Sequence, residues 1–119
     1  MGMEIMKIEE KNPAREYTVG ANANITIKDV GDVYLEADEQ LTFVTDAGSR
    51  YDFCKKSWGF YATPSINSRL EAENFVTALV MNSQNRLYVM VVDRAKITDF
   101  RDYLSKENQK VAAWLGDPF

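Results

Sequence analysis

Histidine is absent from this sequence of 119 residues, and cysteine occurs once, at Cys54. Imidazole is the usual general base near neutral pH and the usual ligand of zinc, copper and non-haem iron. The sequence therefore excludes a Ser-His-Asp triad, a Cys-His pair and a histidine metal site, and its single cysteine cannot form an internal disulfide. We predict no bound cofactor and no tightly bound transition metal.

Basic charge and long apolar runs are also scarce. The chain has 18 acidic and 14 basic residues, a net charge of -4 and a pI near 4.8, so it lacks the basic surface typical of proteins that bind duplex nucleic acid. No apolar run reaches the roughly 18 residues of a membrane span, and the charged N-terminus does not fit a signal peptide. A free cysteine without an export signal favours the cytoplasm.

The composition is that of one globular domain, since 45% of the residues are hydrophobic and 27% are charged. We predict that residues 1–24 are irregular, because Asn12-Pro13 interrupts any early element. Residues 25–119 are predicted to form a single α+β domain. Its predicted strands are 25–30, 33–36, 41–45, 50–55, 73–81, 86–93 and 110–115, with a tight turn at Gly31-Asp32.

The C-terminal half contains the convincing helix, predicted over Ala95–Asn108 from an apolar stripe at spacings of three and four, with Asp93 capping its start and Asn108 ending it in the left-handed conformation. Strands 73–81 and 86–93, joined by a hairpin loop predicted at residues 82–85, are apolar on both faces, which predicts central positions in the sheet. Residues 86–115 have the length of a β-α-β unit, so one parallel pair is possible. The predicted fold is a mainly antiparallel, curved or barrel-like sheet of six or seven strands with this one helix.

The segment Cys54–Arg69 is the chemically densest part of the chain, with three basic residues and no acid. Aromatic rings in it can stack on a sugar or base, basic groups can hold a carboxylate or phosphate, and hydroxyl and amide groups can orient a ligand. The predicted ligand-binding residues are Lys55, Trp58, Tyr61, Ser65, Asn67 and Arg69. The competing interpretation is structural: rings that tuck into the core and lysines that are solvated.

Three other groups of residues are candidates for chemistry or assembly. Cys54 is a possible nucleophile beside basic residues, or inert packing. The acidic residues Glu36, Asp38 and Glu39 suit acid/base catalysis or Mg²⁺ or Ca²⁺ binding, or form a solvated turn. The apolar side chains near the C-terminus belong either to the core or to a subunit interface, and they are Val111, Trp114, Leu115 and Phe119. No catalytic residue is assigned.

Several stretches of the chain resemble a family of small uncharacterised bacterial proteins. These stretches are Tyr34–Thr45, Tyr51-Asp52, Trp58–Ser65, Ala78–Val80 and Tyr88–Met90, and the resemblance covers roughly residues 28–115. That family is associated with gene neighbourhoods for surface polysaccharides, including acidic nine-carbon sugars. The resemblance implies a ligand or partner from such a pathway, and it assigns no catalytic residues to this sequence.

We therefore predict a small cytoplasmic, non-catalytic binding or accessory protein for an anionic sugar or sugar-nucleotide pathway. Its predicted partner is an anionic small molecule or a pathway enzyme, with no nucleic acid and no membrane, and the chain is predicted to form a homo-oligomer. Two alternatives stay open. One is a small sugar-modifying enzyme that uses carboxylates, Tyr61 or Cys54, and the other is a protein-interaction module.

Overall fold

The computed structural model describes residues 7–116, and this part of the chain divides into two compact units. The first unit contains the described part of Met1–Leu41 together with Phe53–Tyr61, and the second contains Thr42–Asp52 and the described part of Ala62–Phe119. The elements in chain order are Lys7–Val19 (β1), Ile25–Tyr34 (β2), Gln40–Val44 (β3), Arg50–Lys56 (β4), Gly59–Ala62 (β5), Arg69–Ala72 (α1), Phe75–Met81 (β6), Leu87–Asp93 (β7), the 3-10 turn Arg94–Lys96, Ile97–Lys106 (α2) and Lys110–Leu115 (β8).

The predicted α+β class is confirmed, since the strands pair mostly antiparallel and one main helix, α2, lies in the C-terminal half. The prediction of one curved or barrel-like sheet is wrong. Within residues 7–116 the strands form three sheets, with orders β1-β2, β3-β4-β5 and β7-β6-β8. Alternation of apolar residues identifies a strand and its buried face, but it does not say which strands pair, and this is why the division was missed.

The N-terminal segment differs most from expectation. Residues 7–19, which were predicted to be irregular, form β1 and pair with β2. The Asn12-Pro13 bond is cis, and the strand passes it through a bulge. Glu10 lies opposite Gly31 and Arg15 opposite Asp29, so four residues of β1 face a single residue of β2. A bulge absorbs the residue that cannot donate a backbone hydrogen bond, so proline deflects the strand instead of ending it.

Gly31 lies inside a strand, and the tight turn predicted at Gly31-Asp32 is wrong. The strand β2 runs without interruption from Ile25 to Tyr34. A Cβ atom on Gly31 would lie 2.7 Å from the carbonyl oxygen of Glu9. Glycine is therefore required by the close approach of the two backbones and not by a reversal of the chain.

The sheet of the second unit is built around β6. Ala78 and Val80 of this strand are fully buried and form a core with Leu104 of α2. Partly buried side chains pack against this core, namely Met90, Phe100, Val111 and Trp114. The Phe100 and Trp114 rings meet edge to face at 6.1 Å between centroids. Trp114 and Val111 thus belong to the core, which is one of their two predicted roles, and Phe119 lies outside the described residues.

The strand order β7-β6-β8 corrects two predictions. Both outer strands pair antiparallel with β6, so the β7-α2-β8 connection skips over the central strand and produces no adjacent parallel pair. The strand β7, predicted to be central, is an edge strand, and Leu87, Tyr88 and Val89 at its start are exposed. Apolar composition on both faces therefore does not distinguish an edge strand from a central one here.

The local signals at loops and helix ends are confirmed. Asp93 Oδ1 accepts the N–H of Ala95 at 2.9 Å where the helical segment begins, and Asn108 has a left-handed φ of 54° just after α2. Residues 56–71, for which the sequence predicts no strand or helix, contain β5 and the first residues of the short helix α1. No helix in the described part of the chain is long and apolar enough to cross a membrane.

Candidate functional site

The structure distributes the predicted ligand residues over both units. Lys55, Trp58 and Tyr61 belong to the first unit, while Ser65, Asn67 and Arg69 belong to the second. Each group is therefore described within its own unit.

The first group lies on a tight hairpin that we call the aromatic hairpin, residues Phe53–Tyr61. Its strands, the end of β4 and the start of β5, are joined by the two-residue turn Ser57-Trp58. Trp58 is 70% exposed, and its ring stacks on that of Tyr61 with 6.2 Å between centroids and 27° between planes. A tryptophan at the tip of a turn has no core to enter, so its apolar face is presented to solvent.

Two lysines flank these rings and have different surroundings. Lys55 Nζ donates to the carbonyl oxygen of Lys56 at 2.9 Å and lies 5.9 Å from the centroid of the Phe60 ring. Lys56 Nζ forms an ion pair with Asp38 Oδ1 at 2.5 Å. This hydrogen bond, reinforced by the charge of Asp38, raises the pKa of Lys56 above its usual value. Lys55 is therefore the better-placed cation for a bound anion.

The acidic residues that precede β3 are occupied by contacts within their own turn. The Glu39 carboxylate accepts the N–H of Glu36 at 2.6 Å, and Asp38 binds Lys56. The backbone of the same turn pairs with β4, because Asp38 N donates to Lys55 O and Lys55 N donates to Glu39 O. Among residues 7–116 no three acidic or cysteine side chains are grouped as ligands of a cation. The Asp38 carboxylate and the backbone of this turn thus contact β4 at the two residues that precede the Ser57-Trp58 turn of the aromatic hairpin.

Arg69 lies in the second unit and contacts a buried carboxylate. Its Nη1 is 2.5 Å from Asp52 Oδ2, and its Nη2 donates to Thr63 Oγ1 at 3.0 Å. Asp52 is only 5% exposed and also accepts the hydroxyl of Thr42 at 2.6 Å. The hydrogen bonds from Thr42 and then Arg69 hold the pKa of Asp52 below its usual value, against the opposing effect of burial. An anion that approached Arg69 would have to compete with Asp52 for it.

Ser65 and Asn67 lie in the exposed turn that leads into α1. The Ser65 hydroxyl oxygen accepts the N–H of Arg69 at 3.3 Å, and its carbonyl oxygen accepts the N–H of Leu70 at 3.0 Å. Leu70 is completely buried. Ser65 therefore helps to fix the start of α1, which in turn holds Arg69 near Asp52.

Cys54 is 8% exposed, and its Sγ lies 3.5 Å from the carbonyl oxygen of Lys55. A buried thiol packs as a small apolar group and is not accessible to a substrate. Of its two predicted roles, the structure therefore favours packing.

Two functional or structural residues were not selected from the sequence. Phe60 is 63% exposed and lies beside Lys55, and as the neighbour of Tyr61 in β5 it points to the opposite face of the aromatic hairpin. Asp52 has the opposite character, because it is a buried acid that binds Arg69. Alternation along β4 places Asp52 on the same face as Cys54, a residue type that is usually buried, and this was the available signal for its burial.

The marked surface depressions lie away from the predicted residues. One of about 520 Å³ lies beside the β1 bulge and is lined by Ile8, Glu10, Lys11, Asn12, Ala14, Val30, Gly31 and Val33. Another of about 390 Å³ is lined by Met81, Asn82, Ser83, Asn85, Asn108, Gln109 and Lys110. Neither of these two depressions includes a residue of the aromatic hairpin.

The sequence matches no protein-family model, and neither a curated protein nor a solved structure matches it. The binding chemistry of the aromatic hairpin therefore follows from its own side chains. The stacked Trp58 and Tyr61 rings can bind the apolar face of a ring compound, and the Lys55 ammonium group beside Phe60 can bind an anionic group.

Proposed function

We propose that this protein is a non-catalytic binding protein for an anionic sugar or sugar-nucleotide, and that the aromatic hairpin is its contact surface. The observation that carries the proposal is the exposed stack of Trp58 and Tyr61. An aromatic face binds the apolar face of a sugar ring while the sugar hydroxyls stay solvated. The resemblance to proteins of surface-polysaccharide gene neighbourhoods supports an acidic sugar as the ligand class.

Lys55 is the proposed anion contact of this surface. The protein carries a net charge of -4, so an anion needs a local cation to bind it. Lys56 is already paired with Asp38, whereas Lys55 lies next to the Phe60 ring. The carboxylate or phosphate of the ligand would bind the Lys55 ammonium group beside the exposed Phe60 ring.

Arg69, Ser65 and Asn67 stay predicted contacts, and a substitution separates two roles for Arg69. If Arg69 only holds Asp52, Arg69→Ala lowers the melting temperature and leaves ligand affinity unchanged. If it also contacts the ligand, the affinity falls at a temperature where the variant is fully folded.

The test is a titration with N-acetylneuraminic acid, an acidic nine-carbon sugar, with glucose as the neutral comparison. Loss of one charge-assisted contact in Lys55→Met should raise the Kd about tenfold or more. Trp58→Ala should abolish detectable binding without lowering the melting temperature, because the ring is exposed. Lys106→Met and Tyr88→Ala are matched controls, since both side chains are exposed and lie outside the hairpin.

Binding that is unchanged in both hairpin variants would contradict the proposal. In that case the exposed rings serve a protein partner, such as a pathway enzyme, and a pull-down with the Trp58→Ala variant as the negative control would identify it. The proposal also includes a cytoplasmic location and a homo-oligomer, and neither of these depends on the identity of the sugar.

A further inference from the structure

The ribbon formed by β1 and β2 has an unusual degree of exposure for a paired β structure. In the described part of the chain these two strands form a sheet of their own. Val30 is 66% exposed and Val33 is 43% exposed, and Ile8 opposite Val33 is 50% exposed. A two-stranded ribbon is marginally stable in water, and three or more strands are normally needed. The ribbon therefore has an open edge, and pairing with a further strand would stabilise it.

The two edges of the ribbon differ in their ability to accept another strand. The outer edge of β1 is interrupted by the bulge and by Pro13, which are the features that protect natural edge strands. The strand β2 has ten residues and no proline, and it carries no inserted residue of its own, although Val30 lies opposite the β1 bulge. An incoming strand would thus pair with β2.

The sequence of β2 is self-complementary about Val30. If a second copy pairs antiparallel with its two-fold axis at Val30, Lys28 lies opposite the partner's Asp32 and Ile27 lies opposite the partner's Val33. Symmetry repeats both pairs, and Val30 meets the partner's Val30. Opposite charges and aliphatic side chains directly across an antiparallel pair are both stabilising.

Neighbouring registers lose this match. An axis at Asp29 places two Asp29 carboxylates opposite each other, and like charges across a strand pair are destabilising. An axis at Gly31 places Asp32 opposite the partner's Val30 and Lys28 opposite the partner's Tyr34. Only the Val30 register keeps charge opposite charge.

The side chains that this register uses are accessible. Lys28 is exposed and lies opposite Glu16 of β1. Asp32 is half-exposed and accepts Lys11 Nζ at 2.8 Å. A carboxylate has about four acceptor sites, so Asp32 can bind Lys11 and a second lysine at once.

We infer that the β2 edge is an interface with a second copy of this chain, paired antiparallel about Val30 into a four-stranded sheet of order β1-β2-β2-β1. This inference rests on the homo-oligomer part of the proposed function and gives it an interface. The sugar-binding part does not depend on it. Closed two-fold association uses the same patch on both copies, and the sequence of β2 meets that requirement.

The experiment is a charge-swap series measured by sedimentation equilibrium at up to about 100 µM, where an association with a micromolar Kd is nearly complete. The wild-type chain should approach twice the 13.6 kDa of one copy. Lys28→Glu and Asp32→Lys should each raise the dimer Kd about tenfold, because each replaces two attractive pairs by two repulsive ones. A 1:1 mixture of the two variants should restore dimers, because each unlike pair is attractive again.

The controls are Lys106→Glu and Asp99→Lys, which make the same charge changes on exposed positions of α2. A wild-type chain that stays at 13.6 kDa would overturn the inference. Weakened single variants that do not recover on mixing would also overturn it, because general destabilisation of the ribbon cannot be rescued by a second damaged copy. The sugar titration repeated on Lys28→Glu should be unchanged, so a failure of dimerisation and a failure of sugar binding are distinguishable.

Discussion

The β1-β2 ribbon and the β7-β6-β8 sheet are both antiparallel, yet they are stabilised by different means. In the sheet, the central strand is buried and Ala78 and Val80 pack against Leu104 of the covering helix. In the ribbon, polar pairs dominate: Lys11 binds Asp29 and Asp32, and Arg15 binds Asp29. Burial of aliphatic groups contributes far more to stability than exposed ion pairs do. Substitutions in the sheet should therefore be costly and those in the ribbon mild.

The largest effect is expected from Leu104→Ala, which removes a 6% exposed side chain from the core of the sheet. We expect the free energy of unfolding to fall by about 2–5 kcal/mol, because a cavity is left beside Ala78 and Val80. The measurement is chemical unfolding followed by the fluorescence of Trp114 in a Trp58→Phe background, which removes the other tryptophan.

The matched change in the ribbon is Ile27→Ala, at a side chain that is 38% exposed. It should cost about 1 kcal/mol or less, since the side chain already contacts water. Hydrogen exchange of the β1 and β2 amides measures it. If Leu104→Ala and Ile27→Ala lowered the free energy of unfolding by equal amounts, the contrast between sheet and ribbon would be contradicted, and the ribbon would be buried in solution.

The next effect concerns Asp52, whose Arg69 and Thr42 partners make it the buried polar centre of the second unit. Asp52→Asn should destabilise the protein by about 1–3 kcal/mol at neutral pH, because charge-assisted hydrogen bonds are lost. Asp46→Asn in the exposed loop after β3 is the control and should leave the melting temperature unchanged. No difference between the two variants would mean that the Arg69 ion pair contributes nothing.

The stability supplied by Asp52 should depend on pH in a defined direction. Its pKa is lower in the folded protein than in the unfolded chain, chiefly because of the hydrogen bond from Thr42 and then that from Arg69. The contribution of ionised Asp52 to the free energy of unfolding is fully present above the pKa of an aspartate in the unfolded chain, about 3.9. It is lost as the pH falls through the lower pKa of Asp52 in the folded protein. The stability gap between wild type and Asp52→Asn should therefore narrow below about pH 4 and stay constant from pH 5 to 8. A gap that widens in acid would contradict this.

Gly31→Ala tests the close approach of the two ribbon strands. The new Cβ would lie 2.7 Å from the Glu9 carbonyl oxygen, so the backbones must separate, and we expect a loss of about 1–2 kcal/mol in the ribbon. Gly48→Ala is a comparison of a different kind. A Cβ atom on Gly48 would meet no atom within 4 Å. The φ of 89° at this position makes the alanine variant unstable through backbone strain alone. Hydrogen exchange should show Gly31→Ala opening β1 and β2 only, and protection that is unchanged there would disprove the close contact.

The smallest effect is expected for Asp38→Asn, which removes the partner of Lys56 next to the turn of the aromatic hairpin. The ion pair is on the surface, so the melting temperature should not change measurably. The pKa of Lys56 should fall toward its usual value, which a ¹⁵N NMR titration of the side chain would record. A large loss of stability would show that the hairpin depends on this contact.

Local features of the fold were predictable from the sequence. The loop at residues 82–85, the cap at Asp93, the left-handed Asn108 and the bounds of β8 each depend on neighbouring residues only. In the same way, Trp58 and Lys55 could be selected because the charge and ring content of their segment are visible in the chain. That they lie in one hairpin follows from a two-residue turn.

Features set by distant residues were not predictable. Gly31 looks like a turn residue until Glu9 is placed opposite it, and β7 looks central until β8 is found on the other side of β6. The contact between Arg69 and Asp52, 17 residues earlier, is likewise not visible in the local sequence. In each case the residue that determines the local structure or contact is remote in sequence, and no local pattern predicts that the two residues meet.

The position of β8 has a consequence for the way the second unit is completed during synthesis. The hairpin β6-β7 and the helix α2 can form from consecutive residues, but one side of β6 stays without its partner until Lys110–Leu115 has been made. A nascent chain that has reached only Lys106 exposes the backbone of an apolar strand, Phe75–Met81, to any other strand nearby. Of the three strands in this sheet, the one translated last is therefore the one that covers the open side of β6. Chains cut short before Lys110 should aggregate rather than fold.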